Sequence, residues 1–329
     1  MLSKSWLLDK CEPEFDEWLR KNRASGDTII LPLATRVSRA SYGWNTSGFA
    51  HIKSTPAIAL YRSISSRRLA DQGAARQQML MECDGLLADA FGRKIPFRAD
   101  HLVISQNLLP HLWRTGWLGG RTFDVLMTRL PMQDLEQVLD RAAAAHPVSR
   151  TLSDFRAPAI LRDAETEALA AARSWITPHA QIAALGGNRA LKLEWAVPVP
   201  EDIRPGGRTV LFPASTLARK GCYEMREVAR QLGLSLRLGG RVVEAPEFWR
   251  NLDVATVDGD WLNAAAVLVL PAWVEHWPRR LIRAAAAGIP VIASSACGLS
   301  GIPNVQECQP GDVDGLVSHL SAVLRRIPA

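Results

Sequence analysis

The chain is 329 residues long, enough for about two domains, and 47% of it is apolar, which suffices for sizeable cores. Its net charge of +6 is mild and dispersed, with no block of five or more Lys/Arg, so nucleic-acid binding is not expected. No uncharged apolar run reaches the length of a membrane span, and the first residues turn acidic without a signal-peptide core.

In chain order, residues 3–23 suit an amphipathic helix carrying Trp6 and Trp18. Residues 28–34 resemble a strand, 36–55 a loop, and 67–91 one long Ala/Leu/Gln/Met-rich helix. Buried strands are expected at 101–105 and 123–128, then a helix at Met132–Ala145. A helix at 165–174, a strand at 175–177 and a helix at 178–185 follow. The stretch 197–207, with three prolines and paired glycines, reads as the linker between domains 1–204 and 205–329. Beyond it the alternation is regular: strand Thr209–Phe212, helix Cys222–Leu232, strand 235–238 and short helix Trp261–Ala264. The fold class is α/β, with a doubly wound parallel sheet on each side of the linker.

Residues 267–294 carry the most information. The apolar runs 267–270 and 289–293 read as buried strands. Between them lies a helix with Pro278 at its opening turn and Gly288 just past its end. Such a βαβ unit places the loop acid Glu275 beside a helix N-terminus, where phosphate ligands bind in parallel sheets. Glu275 is equally readable as a plain acidic loop residue.

A second segment, Leu211-Phe-Pro-Ala-Ser-Thr-Leu-Ala-Arg-Lys-Gly221, is a strand entering a loop that ends in two cations. Lys220 could act as a point charge on a diphosphate and Arg219 as a fork donor, or both could be solvated surface cations. Arg279, Arg280 and Arg283 cluster on the first turns of the helix after Glu275. There they oppose its dipole, so a nearby anion would favour them.

The chain lacks G-x-G-x-x-G after a strand, G-x-x-x-x-G-K-[ST], H-E-x-x-H and G-x-S-x-G, which argues against dinucleotide oxidoreductases, P-loop NTPases, zincins and α/β-hydrolases. No His, Cys or carboxylate cluster has metal-ligand spacing. The five cysteines (Cys11, Cys83, Cys222, Cys297, Cys308) make no disulfide framework, so a cytoplasmic location is expected. His111 and His179 read as packing residues.

Residues 209–316 resemble the C-terminal domain of family-four glycosyltransferases of the GT-B fold. The likeness runs through Arg219-Lys220-Gly221, the Leu238-Gly239-Gly240 turn, Glu275, Gly288-Ile-Pro-Val-Ile-Ala-Ser, Cys297-Gly-Leu and Pro310-Gly-Asp-Val-Asp-Gly-Leu316. It implies two Rossmann-like domains facing a cleft. It also implies a probable-hexosyl class of transfer from a nucleotide-sugar donor to an unknown acceptor, retaining, without metal or other cofactor. By that resemblance Lys220 and Glu275 are the catalytic pair, on the donor diphosphate and donor sugar. Main-chain N–H groups of Trp277 and Arg279 would meet phosphate, with His276, Pro278 and Gly240 beside them.

The sequence departs from the family pattern at several positions. Arg283 stands where the second glutamate of E-x7-E holds the nucleotide ribose, and a guanidinium cannot accept hydrogen bonds from a diol. Ala214-Ser215 occupy the place of an arginine, for which Arg219 or the Ser215 and Thr216 hydroxyls could compensate. No Gly-rich loop follows the first strand, and Gln106 and Thr128-Arg129 lie nearest the place of the usual N-domain histidine. A second reading is therefore a GT-B protein that binds a nucleotide or a partner without turnover. The eleven tryptophans, where exposed, would suit such a surface.

Overall fold

A computed structural model describes residues 3–34, 42–69, 73–153, 156–199, 209–245, 247–257 and 261–326. The apolar runs become strands of two sheets, and every strand pairing among these residues is parallel. The first sheet contains β1 (Ser3–Leu7), β2 (Thr28–Leu31), β3 (His51–Ser54), β4 (Ala99–Ser105), β5 (Thr122–Leu126), β6 (Ser174–Thr177) and β7 (Ala190–Lys192), in the order 3-2-1-4-5-6-7. The second contains β8 (Thr209–Phe212), β9 (Leu236–Leu238), β10 (Val254–Thr256), β11 (Ala265–Leu270), β12 (Val291–Ser294) and β13 (Val305–Cys308), in the order 10-9-8-11-12-13. These are doubly wound Rossmann-like sheets, as expected from sequence.

The chain packs as two compact units. One comprises Met1–Gln133, Phe155–Pro178 and Ile182–Ala196; the other comprises Asp134–Asp154, His179–Gln181 and Val197–Ala329. Most of helix α5 (Met132–Ala145) therefore belongs to the second unit, although it precedes the proline-rich stretch in sequence. The expected boundary at 204/205 and most of the expected linker lie outside the described residues.

Three expectations are corrected in the first unit. Residues 3–23 are not one helix: Ser3–Leu7 is the strand β1, and helix α1 (Pro13–Asn22) starts only at Pro13, which suits a first turn but not a helix interior. Trp6 and Trp18 still meet, at 5.5 Å between ring centroids, but across a strand and a helix. Asp27 pins the strand, accepting hydrogen bonds from the Lys4 amide (3.1 Å) and the Trp6 indole (2.9 Å). The helix expected at 67–91 is α3 (Gly73–Gly92), its first two expected residues closing the preceding helix α2 (Pro56–Arg68), and the expected loop at 36–55 ends in the edge strand β3. Buried Arg62 on α2 bonds Asp84 on α3 at 3.0 Å and Asp9, beyond β1, at 2.7 Å.

The second unit follows the sequence closely. All six residues of β11 and all four of β12 are buried, as parallel strands covered on both faces should be. Helix α10 (Arg279–Ala286) has Pro278 as its N-cap, and Gly288 follows it at φ 78°, a conformation that suits glycine. Helices α8 (Cys222–Leu232), α9 (Trp261–Ala264) and α11 (Val313–Leu324) complete this layer.

At the amino edge of the first sheet the buried pair His101 and Asp124 meets the exposed Arg173. The His101 Nε2 lies 2.9 Å from Asp124, and Arg173 Nε donates to the same carboxylate at 2.9 Å. Burial works against ionisation of Asp124, but the bonds from His101 and Arg173 outweigh it and hold its pKa below the usual carboxylate value. A depressed native pKa stabilises above the unfolded value and is lost as pH falls through the native one. Asp124→Asn should therefore lower stability at neutral pH by about 1–2 kcal/mol. The gap to wild type in thermal unfolding should narrow below about pH 4; a pH-independent gap would contradict this.

Candidate functional site

In the second sheet β8 lies beside β11, and the chain continues outward to β9 on one side and β12 on the other. That boundary is the topological switch point, the place where such sheets open a crevice at their carboxyl ends. The loops leaving β8 (213–221) and β11 (271–278) meet there. A Cβ on Gly221 would sit 2.2 Å from the Pro271 carbonyl oxygen, and its φ of 81° is left-handed, so the junction requires glycine. The Arg219 carbonyl accepts both the Trp273 and Val274 amides at 3.0 Å, which zips the loops together.

This junction brings the two principal residues together. Lys220 Nζ lies 2.9 Å from Glu275 Oε2 and 3.0 Å from the Val274 carbonyl. Glu275 Oε1 accepts the Trp277 amide at 2.9 Å, so both carboxylate oxygens are oriented from within the loop. His179 donates through Nε2 to the Glu275 main-chain carbonyl at 2.9 Å. Burial lowers the His179 pKa, and the ring packs against Gly298, where a Cβ would clash at 2.3 Å. Ser294 Oγ, at the end of β12, donates to the Ala272 carbonyl.

The loop of Lys220 is also braced from behind. Ala142, Leu152 and Ala218 form a buried apolar cluster, joined by Tyr223 and Trp273. Buried Glu244 accepts from Thr151 Oγ1 at 2.6 Å, Ser149 Oγ at 2.9 Å and the Ala218 amide at 3.3 Å. Trp273 Nε1 and His146 Nε2 both donate to Glu224 Oε1 at 2.7 Å, and His146 stacks on Tyr223. Sequence reasoning missed these supports. Their partners lie up to 95 residues apart, and no local pattern marks them.

The remaining candidates fall into distinct environments. Gly240 is pressed against the β8 loop, where a Cβ would lie 2.4 Å from the Ser215 amide nitrogen. Ser215 is half-buried, and its carbonyl accepts the Leu217 amide. Thr216 is fully buried: its amide bonds the Arg241 carbonyl, and its hydroxyl accepts the Trp249 indole. Arg280 donates to the Pro213 (2.8 Å) and Gly239 carbonyls, tying the ends of β8 and β9. The Arg279 guanidinium lies 5.0 Å from the Trp277 ring centroid, that of Arg283 5.5 Å from Trp261. The Arg279 amide donates to the Trp277 carbonyl, and His276 faces His179 at 6.1 Å between rings.

Gln106 belongs to the first unit, at the end of β4, and is fully buried. Its Oε1 accepts the Thr128 and Arg129 amides at 2.9 and 3.0 Å, and its Nε2 faces Glu165, which Arg129 grips with both Nη atoms. All of its bonding partners are therefore scaffold groups. His111 is a packing residue, its pKa pushed down to about 4 by burial and by Arg114. Among the described residues no group of three or more His, Cys, Asp or Glu is arranged to hold a metal ion. No helix among them is long and apolar enough to cross a membrane.

No family model and no curated protein matches the sequence. Solved structures do match the fold. Sucrose-phosphate synthase from Thermosynechococcus elongatus aligns over 99% of this chain and 90% of its own, with 14% identity and a TM-score of 0.56. HepE of Anabaena, solved with UDP, aligns over 99% and 90%, with 10% identity and a TM-score of 0.52. The chain has the GT-B architecture of two Rossmann-like α/β domains.

The Gly221 junction makes a sharp comparison. Gly221→Ala should destabilise the protein by at least about 2 kcal/mol, through both strain and the clash with Pro271. Gly233→Ala, also left-handed (φ 62°) but facing open space, should cost only about 1 kcal/mol in the same urea titration. Equal losses would show that the junction is not tight.

Proposed function

We propose that this chain is a glycosyltransferase that takes a nucleotide-sugar as donor and holds it at the switch point between β8 and β11. The observation that carries the reading is the Lys220–Glu275 pair, 2.9 Å apart and supplied from the two loops that flank that point. Lys220 has three N–H donors and uses two within the protein, so the third can take a phosphate oxygen. Each Glu275 oxygen keeps a lone pair for a sugar hydroxyl beyond its bond to Lys220 or Trp277. The UDP bound to HepE supports a nucleoside diphosphate as the donor's leaving group.

In this reading the chain stabilises the negative charge that develops on the departing diphosphate. Lys220 and the positive end of α10 do this electrostatically, with transfer retaining and independent of metal. A second reading, a nucleotide- or partner-binding protein without turnover, is favoured by one observation. Arg283, at the position of the ribose-holding glutamate in similar enzymes, stacks over Trp261 instead.

The test is a panel of uridine, guanosine and adenosine diphosphate sugars, with release of nucleoside diphosphate followed by mass spectrometry. One donor should turn over. Lys220→Ala should lower kcat/KM for it by about 10²-fold or more. Glu275→Gln should act mainly by losing the sugar contact, with a smaller fall of about tenfold. Turnover unaffected by either change would place the site elsewhere. Binding of a nucleotide without turnover of any donor would select the second reading.

A further inference from the structure

Behind the Lys220 loop, the second unit holds a hollow of about 280 Å³. It lies at the lower end of ligand-site volumes, about 300 Å³, and so suits a molecule of monosaccharide size. Helix α8 supplies Tyr223 and Arg226, one turn apart on one face. The loop between β9 and β10 supplies Glu244, Glu247 and Phe248, and Arg150 comes from the segment after α5. Glu275 belongs to the β11 loop on the other side of β8, so the hollow is separate from the Lys220–Glu275 pair.

Its walls carry both charges and an aromatic surface. The Arg226 guanidinium lies 4.5 Å from the Phe248 ring centroid and 5.4 Å from that of Tyr223. These rings meet edge to face at 4.9 Å and hold the guanidinium in place. Among the described residues neither Arg226 nor Arg150 pairs with a carboxylate, and Arg226 makes one long bond, 3.4 Å, to the Phe248 carbonyl. Its fork of N–H groups keeps donors to spare for a carboxylate or a phosphate. Glu244 is only 6% exposed. Its Oε1 is occupied by Ser149, Thr151 and the Ala218 amide, whereas Oε2 has the Tyr223 hydroxyl at 3.4 Å and keeps room for a further donor. Two acids beside two cations disfavour a bare anion, and Arg226 already takes the place of a cation over both rings. A sugar with an acidic group satisfies all of these walls at once.

We propose that this hollow is a second ligand site, for a monosaccharide that carries a phosphate or a carboxylate. The anion pairs with Arg226 and Arg150, a hydroxyl donates to Glu244 Oε2, and the C–H face of the sugar lies against Tyr223 and Phe248. This inference does not rest on the reading of Lys220 and Glu275.

The test is calorimetric titration of the full chain with glucose 6-phosphate, glucuronate, glucose and inorganic phosphate. At least one of the two anionic sugars should bind, and which of them does so identifies the anion. Glucose and inorganic phosphate should each bind at least about tenfold more weakly than that sugar. Arg226→Met, which keeps an unbranched stem over the rings, and Arg150→Met should each weaken the sugar's binding about tenfold or more. Arg150 is exposed, so its variant should keep the wild-type unfolding midpoint, and a loss of binding there is not a loss of fold. Lys220→Ala should bind the sugar as the wild type does. Binding of neither anionic sugar, phosphate binding as tight as the sugar's, or undiminished binding by either arginine variant would overturn the proposal. So would binding that Lys220→Ala abolishes, since the sugar would then occupy the diphosphate site.

Discussion

The close approach of two loops at the switch point governs the second unit. The main chain at Gly221 comes so near the Pro271 carbonyl that no side chain fits between them. The Arg219 carbonyl closes the contact by accepting two consecutive amides from the other loop. Once the backbones are fixed in this way, Lys220 and Glu275 have little choice but to face each other. The pair is thus a consequence of main-chain packing, and its geometry is set before any ligand arrives, which is the condition for electrostatic preorganisation.

The same constraint sorts the arginines of α10. Three cations at a helix N-terminus are individually unfavourable, yet each has a separate assignment. Arg280 satisfies carbonyls at the ends of β8 and β9, while Arg279 and Arg283 lie over tryptophan rings. Arg280 is therefore a staple of the sheet edge. Arg279 and Arg283 sit at and one turn below the helix start. A first-unit counterpart exists at the ends of β4 and β5, where Gln106, Arg129 and Glu165 satisfy one another as a closed scaffold network.

What the sequence discloses follows from how local each signal is. The β11–α10–β12 unit is written in consecutive residues: an apolar run, a proline that can open a helix, and a glycine that can end one at positive φ. Strand β1 is harder to read, because five residues with three polar ones at its start fit a helical stripe as well as a strand. The start of α3 is equally hidden, since the Arg and Leu residues before Gly73 favour helix as well as its own Ala, Gln and Met. Residue type alone also cannot separate ligand contacts from scaffold. Thr216 and Gln106 carry suitable polar groups, but both are fully buried and bonded to the protein itself. Glu224 and Glu244, which hold the Lys220 loop from behind, depend on partners dozens of residues away.

In the proposed function the β8 and β11 loops form one diphosphate-sugar site through Lys220 and Glu275. Calorimetric titration of a nucleoside diphosphate and the matching nucleoside into wild type and Lys220→Ala tests it most directly. Affinity for the diphosphate should fall about tenfold or more in the variant, some 1.4 kcal/mol, with the weak nucleoside affinity unchanged. Equal diphosphate affinity in the two proteins would contradict it.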